Sequence, residues 1–162
     1  MNALYHGSEL CEVDADGNVA VPAFLEAALS PETNPEIIVA KHQGDTCLIG
    51  YGREHLSTLA ERAERRRIAE EARGEEARSH YHRMRGTFGL SERMKREGKG
   101  LRIPAAMRHL GRIDDLALFV GTGDSFEIWN PVLALESDDE HFRALAEFRL
   151  RSRGSKTTKG VH

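Results

Sequence analysis

The chain has 162 residues, 40% of them apolar and 30% charged, with a net charge of −3. That suffices for one ordinary domain or two small ones with a modest core. No apolar run reaches the roughly 18 residues of a membrane helix, no basic segment leads into an apolar one at the N-terminus, and two cysteines are too few for a disulfide framework.

The first 51 residues read mostly as strands. GSELCEVDADGNVAVPA alternates around the turn Asp14–Asn18, and Pro22 closes the strand. Phe24, Leu25, Ala28 and Leu29 have helical spacing. Ser30–Pro35 reads as a loop, Ile37–Ala40 as a buried strand, His42–Asp45 as a turn and Thr46–Ile49 as the returning strand. Residues 53–85 are rich in Ala, Glu and Arg, with a thin apolar stripe (Leu56, Leu59, Ala63, Ile68, Ala69, Ala72). This predicts one long helix on a surface or bridging two units. Lys95–Gly100 then reads as a turn, Leu101–Pro104 as a strand, Ala105–Leu110 as a short helix, Leu116–Val120 as a buried strand and Ser125–Trp129 as its return. After about Arg151 the chain is polar and predicts a disordered tail.

The order turn, strand, proline, short helix, buried strand, Gly-Asp turn, strand therefore occurs twice. VAVPAFLEAAL aligns with LRIPAAMRHL at an offset of 82, and HQGDTCLIG with GTGDSFEIW at an offset of 79. The difference falls in the Pro31–Pro35 loop, where length changes are tolerated. Each unit has roughly 45 residues, a size at which a lone core is marginal, so the units should pack on each other or on other copies. The expected class is mainly β with short helices (α+β), two pseudo-symmetric units and a longer surface helix. The boundaries read as 4–52 and 89–135 for the units, 53–88 for a helical connector, 136–150 for a C-terminal helix and 151–162 for the tail.

Charge is unevenly placed. Residues 1–51 hold one lysine against eight acids, whereas residues 86–112 hold Arg93, Lys95, Arg96, Lys99, Arg102, Arg108 and Arg112 against Glu92 and Glu97. A block of that sign can place a positive stripe on one surface.

Tyr5-His6-Gly7 at the start, Val13–Phe24 (VDADGNVAVPAF) and Gly123–Trp129 (GDSFEIW) are together quite specific. Over about residues 4–135 the chain resembles the MraZ family, bacterial regulators built from two AbrB-like swapped-hairpin repeats. The resemblance implies β-barrel units, a ring of many copies, and binding of double-stranded DNA at direct repeats upstream of the division and cell-wall gene cluster, with transcriptional control as the outcome. It attributes DNA contact to a D-x-x-x-R turn in each repeat. Here Asp14 matches but Asn18 stands at the arginine position, and the aligned residues of the second repeat are Arg96 and Gly100.

A two-stranded ribbon fits the major groove, an arginine on it can contact guanine, and lysines can bind phosphate. Arg102 alternates with Leu101 and Ile103 and so faces away from the core, and Lys99 lies in a glycine-flanked turn. With Arg93, Lys95 and Arg96 they form the expected DNA contacts of repeat two. Repeat one offers Asn18, an adenine reader by chemistry, among Asp14 and Asp16, which repel phosphate. Phe126 and Trp129 read as core or subunit-interface anchors, expected to be covered between copies. Gly121–Asp124 leads into a strand rather than a helix, so it reads as a hairpin turn and not a phosphate loop. Asp14 and Asp16 read as caps of backbone N–H groups. His80 and His82 lie on different helix faces, so no metal site is expected there. Cys11 and Cys47 read as small buried hydrophobes. No enzymatic site and no cofactor are expected. The leading expectation is a cytoplasmic, nucleoid-associated DNA-binding regulator. The alternative is a protein–protein interaction module of the same fold with weakened DNA binding.

Overall fold

The computed structural model describes residues 4–28 and 36–159, with side chains through Arg153. The expected loop Ser30–Pro35 lies outside the described residues. Repeat one contributes β1 (Ser8–Glu12), β2 (Asn18–Ala20), α1 (Ala23–Ala28), β3 (Ile37–Lys41) and β4 (Leu48–Gly52). The connector holds α2 (His55–Ala72), α3 (Ala77–Met84) and a π-helical turn, Arg85–Gly89. Repeat two contributes β5 (Ser91–Glu97), β6 (Gly100–Arg102), α4 (Ala105–Leu110), β7 (Leu116–Gly121) and β8 (Phe126–Trp129). Two helices close the chain, α5 (Pro131–Ala134) and α6 (Glu140–Lys159).

All eight strands join one antiparallel sheet in the order β1-β7-β8-β4-β3-β5-β6-β2, a nearly closed barrel. The repeats exchange strands. β1 pairs with β7 (Ser8 opposite Val120), β5 with β3 (Arg93 opposite Ile38), and β2 with β6 (Val19 opposite Leu101). Renaming each strand of one repeat as its counterpart in the other leaves this circular order unchanged, which is a pseudo-twofold relation. The symmetry fails at one seam. β5 and β6 form a regular hairpin ladder, whereas β1 and β2 are joined at their turn end by the Asp14 N–H to Asn18 carbonyl bond.

Local chemistry explains the repeated segments. β2 and β6 end just before Pro22 and Pro104, which carry no N–H to extend a ladder. Each proline carbonyl instead accepts from the helix that follows: Pro22 from Leu25 and Glu26, Pro104 from Arg108. Ile37–Ala40 is buried throughout, as a continuous apolar run in a central strand should be.

Phe126 is fully buried at the barrel centre. It meets Tyr5 edge-on at 5.3 Å between centroids and stacks on Phe119 at 6.1 Å. Gly50 makes room for it, since a Cβ there would stand 2.2 Å from the ring. Trp129 belongs to a second cluster with Cys47, Leu118, Ala134 and Ala146. Its ring meets Phe142 at 5.0 Å and its indole N–H donates to Glu127 Oε1 at 2.8 Å. Phe126 and Trp129, expected to be covered by neighbouring copies, are thus covered by their own chain. The strand exchange supplies the core that a single repeat lacks.

Other expectations change. Lys95–Glu97, expected in a turn, are the end of strand β5, because Lys95, Arg96 and Glu97 pair with Arg102, Leu101 and Gly100. The connector is not one helix: it turns back at Gly74 (φ +75°), a conformation glycine adopts without strain. Glu70 on α2 then receives Arg83 of α3 at 2.7 Å and Arg66 at 2.9 Å, which ties the two helices together. The C-terminal helix starts at Glu140 rather than 136, because Asp139 accepts the N–H groups of His141 and Phe142 as a cap. It also continues beyond 150 to Lys159. There Arg151 pairs with Glu147 one turn back, and Arg153 reaches Glu12 of β1 at 2.9 Å. No helix among the described residues is long and apolar enough to cross a membrane.

Candidate nucleic-acid interface

The β5–β6 hairpin closes through two residues, Gly98 and Lys99. Gly98 has φ +61°, which a primed hairpin turn requires at its first position. Lys99 therefore stands exposed at the tip, with no ion-pair partner among the described residues. Leu101 on β6 and Ile103 just after it are buried, so Arg102 between them points outward. Its register partners are Lys95 on β5 and Asn18 on β2. Asn18, Arg102 and Lys95 thus form one row across three strands on the outer face. At about 4.8 Å per strand the row spans ~10 Å, within the roughly 12 Å of a major groove. The two repeats, separate in sequence, share this face.

The remaining basic residues are placed differently. Arg93 lies two residues from Lys95 on the same side of β5, exposed, and binds Glu36 at 2.8 Å. The other Glu36 oxygen is 3.5 Å from Arg53. Arg96 opposes buried Leu101 and so lies on the other side of the ribbon, where its guanidinium pairs with Glu26 of α1. It is held away from the Arg102 row.

The repeat-one turn is built around Asp14. Its Oδ1 accepts the N–H groups of Asp16 and Asn18, each at 2.9 Å, and its Oδ2 accepts the Asn18 side-chain amide at 3.3 Å. The backbone N–H of Asn18, followed by these other donors, holds the Asp14 carboxyl below its ordinary range. Asp14 thus acts as the cap that its position in the turn suggests. Asn18, in turn, spends an amide donor on Asp14 rather than presenting it outward.

One further participant stands in the sequence only as a member of the basic block of residues 86–112. Arg108 on α4 lays its guanidinium over this turn, with Nε donating to the Ile103 carbonyl at 3.1 Å, Nη1 facing the Ala15 carbonyl at 3.5 Å and Nη2 the Asp16 carbonyl at 3.4 Å. Arg102 Nε donates to the same Asp16 carbonyl at 3.1 Å. The available signal was the repeat itself. Arg108 follows Pro104 by four residues as Glu26 follows Pro22, and each reaches the hairpin of the opposite repeat.

Elsewhere the chemistry is structural. Thr122 bonds back to the Ser125 carbonyl at 2.8 Å, which makes Gly121–Asp124 a turn between two strands. His42, Cys47 and Glu127 place ligand-type atoms within 4.8 Å of one another. However, His42 Nδ1 accepts the N–H groups of Gly44 and Asp45, each at 3.0 Å. The ring proton therefore sits on Nε2, 3.2 Å from Glu127, and leaves that nitrogen no lone pair for a metal. Burial raises both thiols, Cys11 to about 12, so neither is an activated nucleophile. His82 Nε2 lies 3.4 Å from Arg78 Nε, and His80 packs against Tyr81.

No family model matches the chain. Curated relatives do. A protein of Rhodospirillum rubrum named transcriptional regulator MraZ is 32% identical over 127 residues, 78% of each chain. The one from Rickettsia bellii is 30% identical over 120 residues, covering 74% of this chain and 75% of its own. The one from Saccharophagus degradans is 24% identical over 128 residues, covering 78% and 82%. With relatives of this identity and coverage, and two strand-exchanged repeats in one barrel, the chain belongs to the MraZ family, whose curated members are named transcriptional regulators.

Proposed function

We propose that this chain is a DNA-binding transcriptional regulator of the division and cell-wall gene cluster. It acts in the nucleoid of the cytoplasm as a ring of copies on upstream direct repeats. The observation that carries the reading is the cross-strand row Asn18–Arg102–Lys95, a basic ribbon of groove width with Lys99 at its tip. Arg102 reads a base edge, while Lys95 and Lys99 hold phosphate. Few phosphates are engaged per copy, so affinity depends on several copies meeting tandem sites. Exposed Val132 on α5 and Phe148 on α6 supply apolar area for contact between copies.

The second reading is a protein-binding module of the same fold. It is favoured by the Asn18 amide engaged by Asp14 and by the ion pairs that occupy Arg93 and Arg96. Fluorescence anisotropy with the duplex upstream of the protein's own gene, across a salt series, decides between them. The double change Lys99→Ala/Arg102→Ala should weaken binding and lower the salt slope by about 0.9 for each phosphate no longer neutralised, and Asn18→Ala should change little. Wild-type protein that shows no salt-dependent binding would overturn the DNA reading in favour of the module.

A further inference from the structure

The repeat-one turn carries Asp14 and Asp16 and no base of its own, yet two guanidiniums from repeat two converge on it. Arg102 and Arg108 both address the Asp16 carbonyl, and Arg108 additionally spans the carbonyls of Ala15 and Ile103. Gly17 is shaped for this. A Cβ at Gly17 would stand 2.6 Å from Arg108 Nε and 2.9 Å from its Cζ, and its φ of +90° is one that L side chains rarely adopt. Asp14 fixes the same turn from the other side through three hydrogen bonds. The symmetry-related place in the other repeat shows the contrast: there the helix residue is Glu26, and it neutralises Arg96. The helix residue four after the proline thus sets the charge of the opposite hairpin, adding a base to turn one and cancelling a base beside turn two.

We propose that Arg108 is a positioning residue for DNA recognition. It locks the Ala15–Asp16 carbonyls so that Arg102 is held by its Nε and presents its remaining N–H groups to the groove. This makes the repeat-one turn part of a composite site whose cations come from repeat two. The inference rests on the DNA reading above. Arg108 itself is half-buried, and its guanidinium is turned onto the carbonyls of Ile103, Ala15 and Asp16, so in this arrangement phosphate is left to other residues.

The test uses full-length protein and the same upstream duplex. Arg102→Gln should weaken binding roughly 5- to 150-fold, the range for removing one base-reading arginine. Arg108→Gln should lose affinity to a similar degree with an unchanged salt slope, because every phosphate stays neutralised. The double variant should bind no worse than Arg102→Gln, since both changes remove the same interaction with the base. Arg108→Lys should not rescue, because a single ammonium cannot replace a planar fork across three carbonyls. In the free protein, the Arg102 Nε–H resonance should be sharp and slowly exchanging in wild type, and averaged with solvent in Arg108→Gln. Additive losses, a reduced slope in Arg108→Gln, or rescue by lysine would each overturn the proposal. Should wild type bind no duplex, the DNA reading fails. The Nε–H signal then still decides whether Arg108 fixes Arg102, and an unchanged signal refutes that too.

Discussion

Phe126→Ala discriminates a core ring from a ring at a contact between copies. Phe126 is fully buried by its own chain, between Tyr5 at 5.3 Å and Phe119 at 6.1 Å and beneath Gly50. Truncating such a ring costs about 3–5 kcal/mol, because its walls relax only partly into the void. The two aromatic pairs place the expected value near the middle, at ~4 kcal/mol. In a chain of this size each kcal/mol lowers Tm by roughly 2–4 °C, so a drop of about 8–16 °C is expected. Calorimetry at several protein concentrations gives the Tm, and light scattering on a sizing column gives the mass. If Phe126→Ala changes the mass while Tm falls by only a degree or two, the ring is an interface residue and the packing argument is wrong.

Other outcomes follow from particular contacts. Gly50→Ala should destabilise by about 1–3 kcal/mol in denaturant titrations, because the new Cβ overlaps a Phe126 ring already held on both sides. Arg83, with Arg66 beside it, holds the Glu70 carboxyl below its ordinary 4.5, so its contribution is complete above that pH and disappears as pH falls through the lowered folded value. Wild type and Glu70→Gln should therefore differ in Tm at pH 6, with the gap shrinking as pH falls below 4.5, and a gap that widens on acidification would contradict the assignment. A chain ending at Leu150 keeps Phe142 and Ala146 of the Trp129 cluster and loses surface pairs such as Arg151–Glu147. Since an exposed pair contributes about 0–1 kcal/mol, its Tm should stay within a few degrees of the full chain.

Sequence periodicity revealed faces but not partners. The alternation of Leu101, Arg102 and Ile103 placed Arg102 outward, and the structure agrees. Burial of Ile37–Ala40 was legible as an unbroken apolar run. Alternation carries no information about which strand lies alongside, so the pairing of β1 with β7 and of β2 with β6 could not be read. Without that pairing Asn18 and Arg102 looked like residues of separate sites. Helix propensity summed over 53–85 also concealed the reversal at Gly74, because the flanking residues are all strong helix formers. The sequence shows Arg108 only as one base of a block, because its role is defined by carbonyl oxygens, two of them in the other repeat, and backbone oxygens leave no trace in residue identity.

Strand exchange also sets an order of events during synthesis. β3 and β4 can close a hairpin as soon as Gly52 has emerged, but β1 must wait for β7. At about 5–20 residues per second, the stretch from Gly52 to Gly121 takes roughly 3–14 s to make. Through that interval the β7-side edge of β1 has no partner, and the β5-side edge of β3 has none until Glu97 is made. Residues 53–89 emerge first, and their π-helical turn packs beside β3 in the finished barrel. The connector is thus available to cover β3 before β5 has been made.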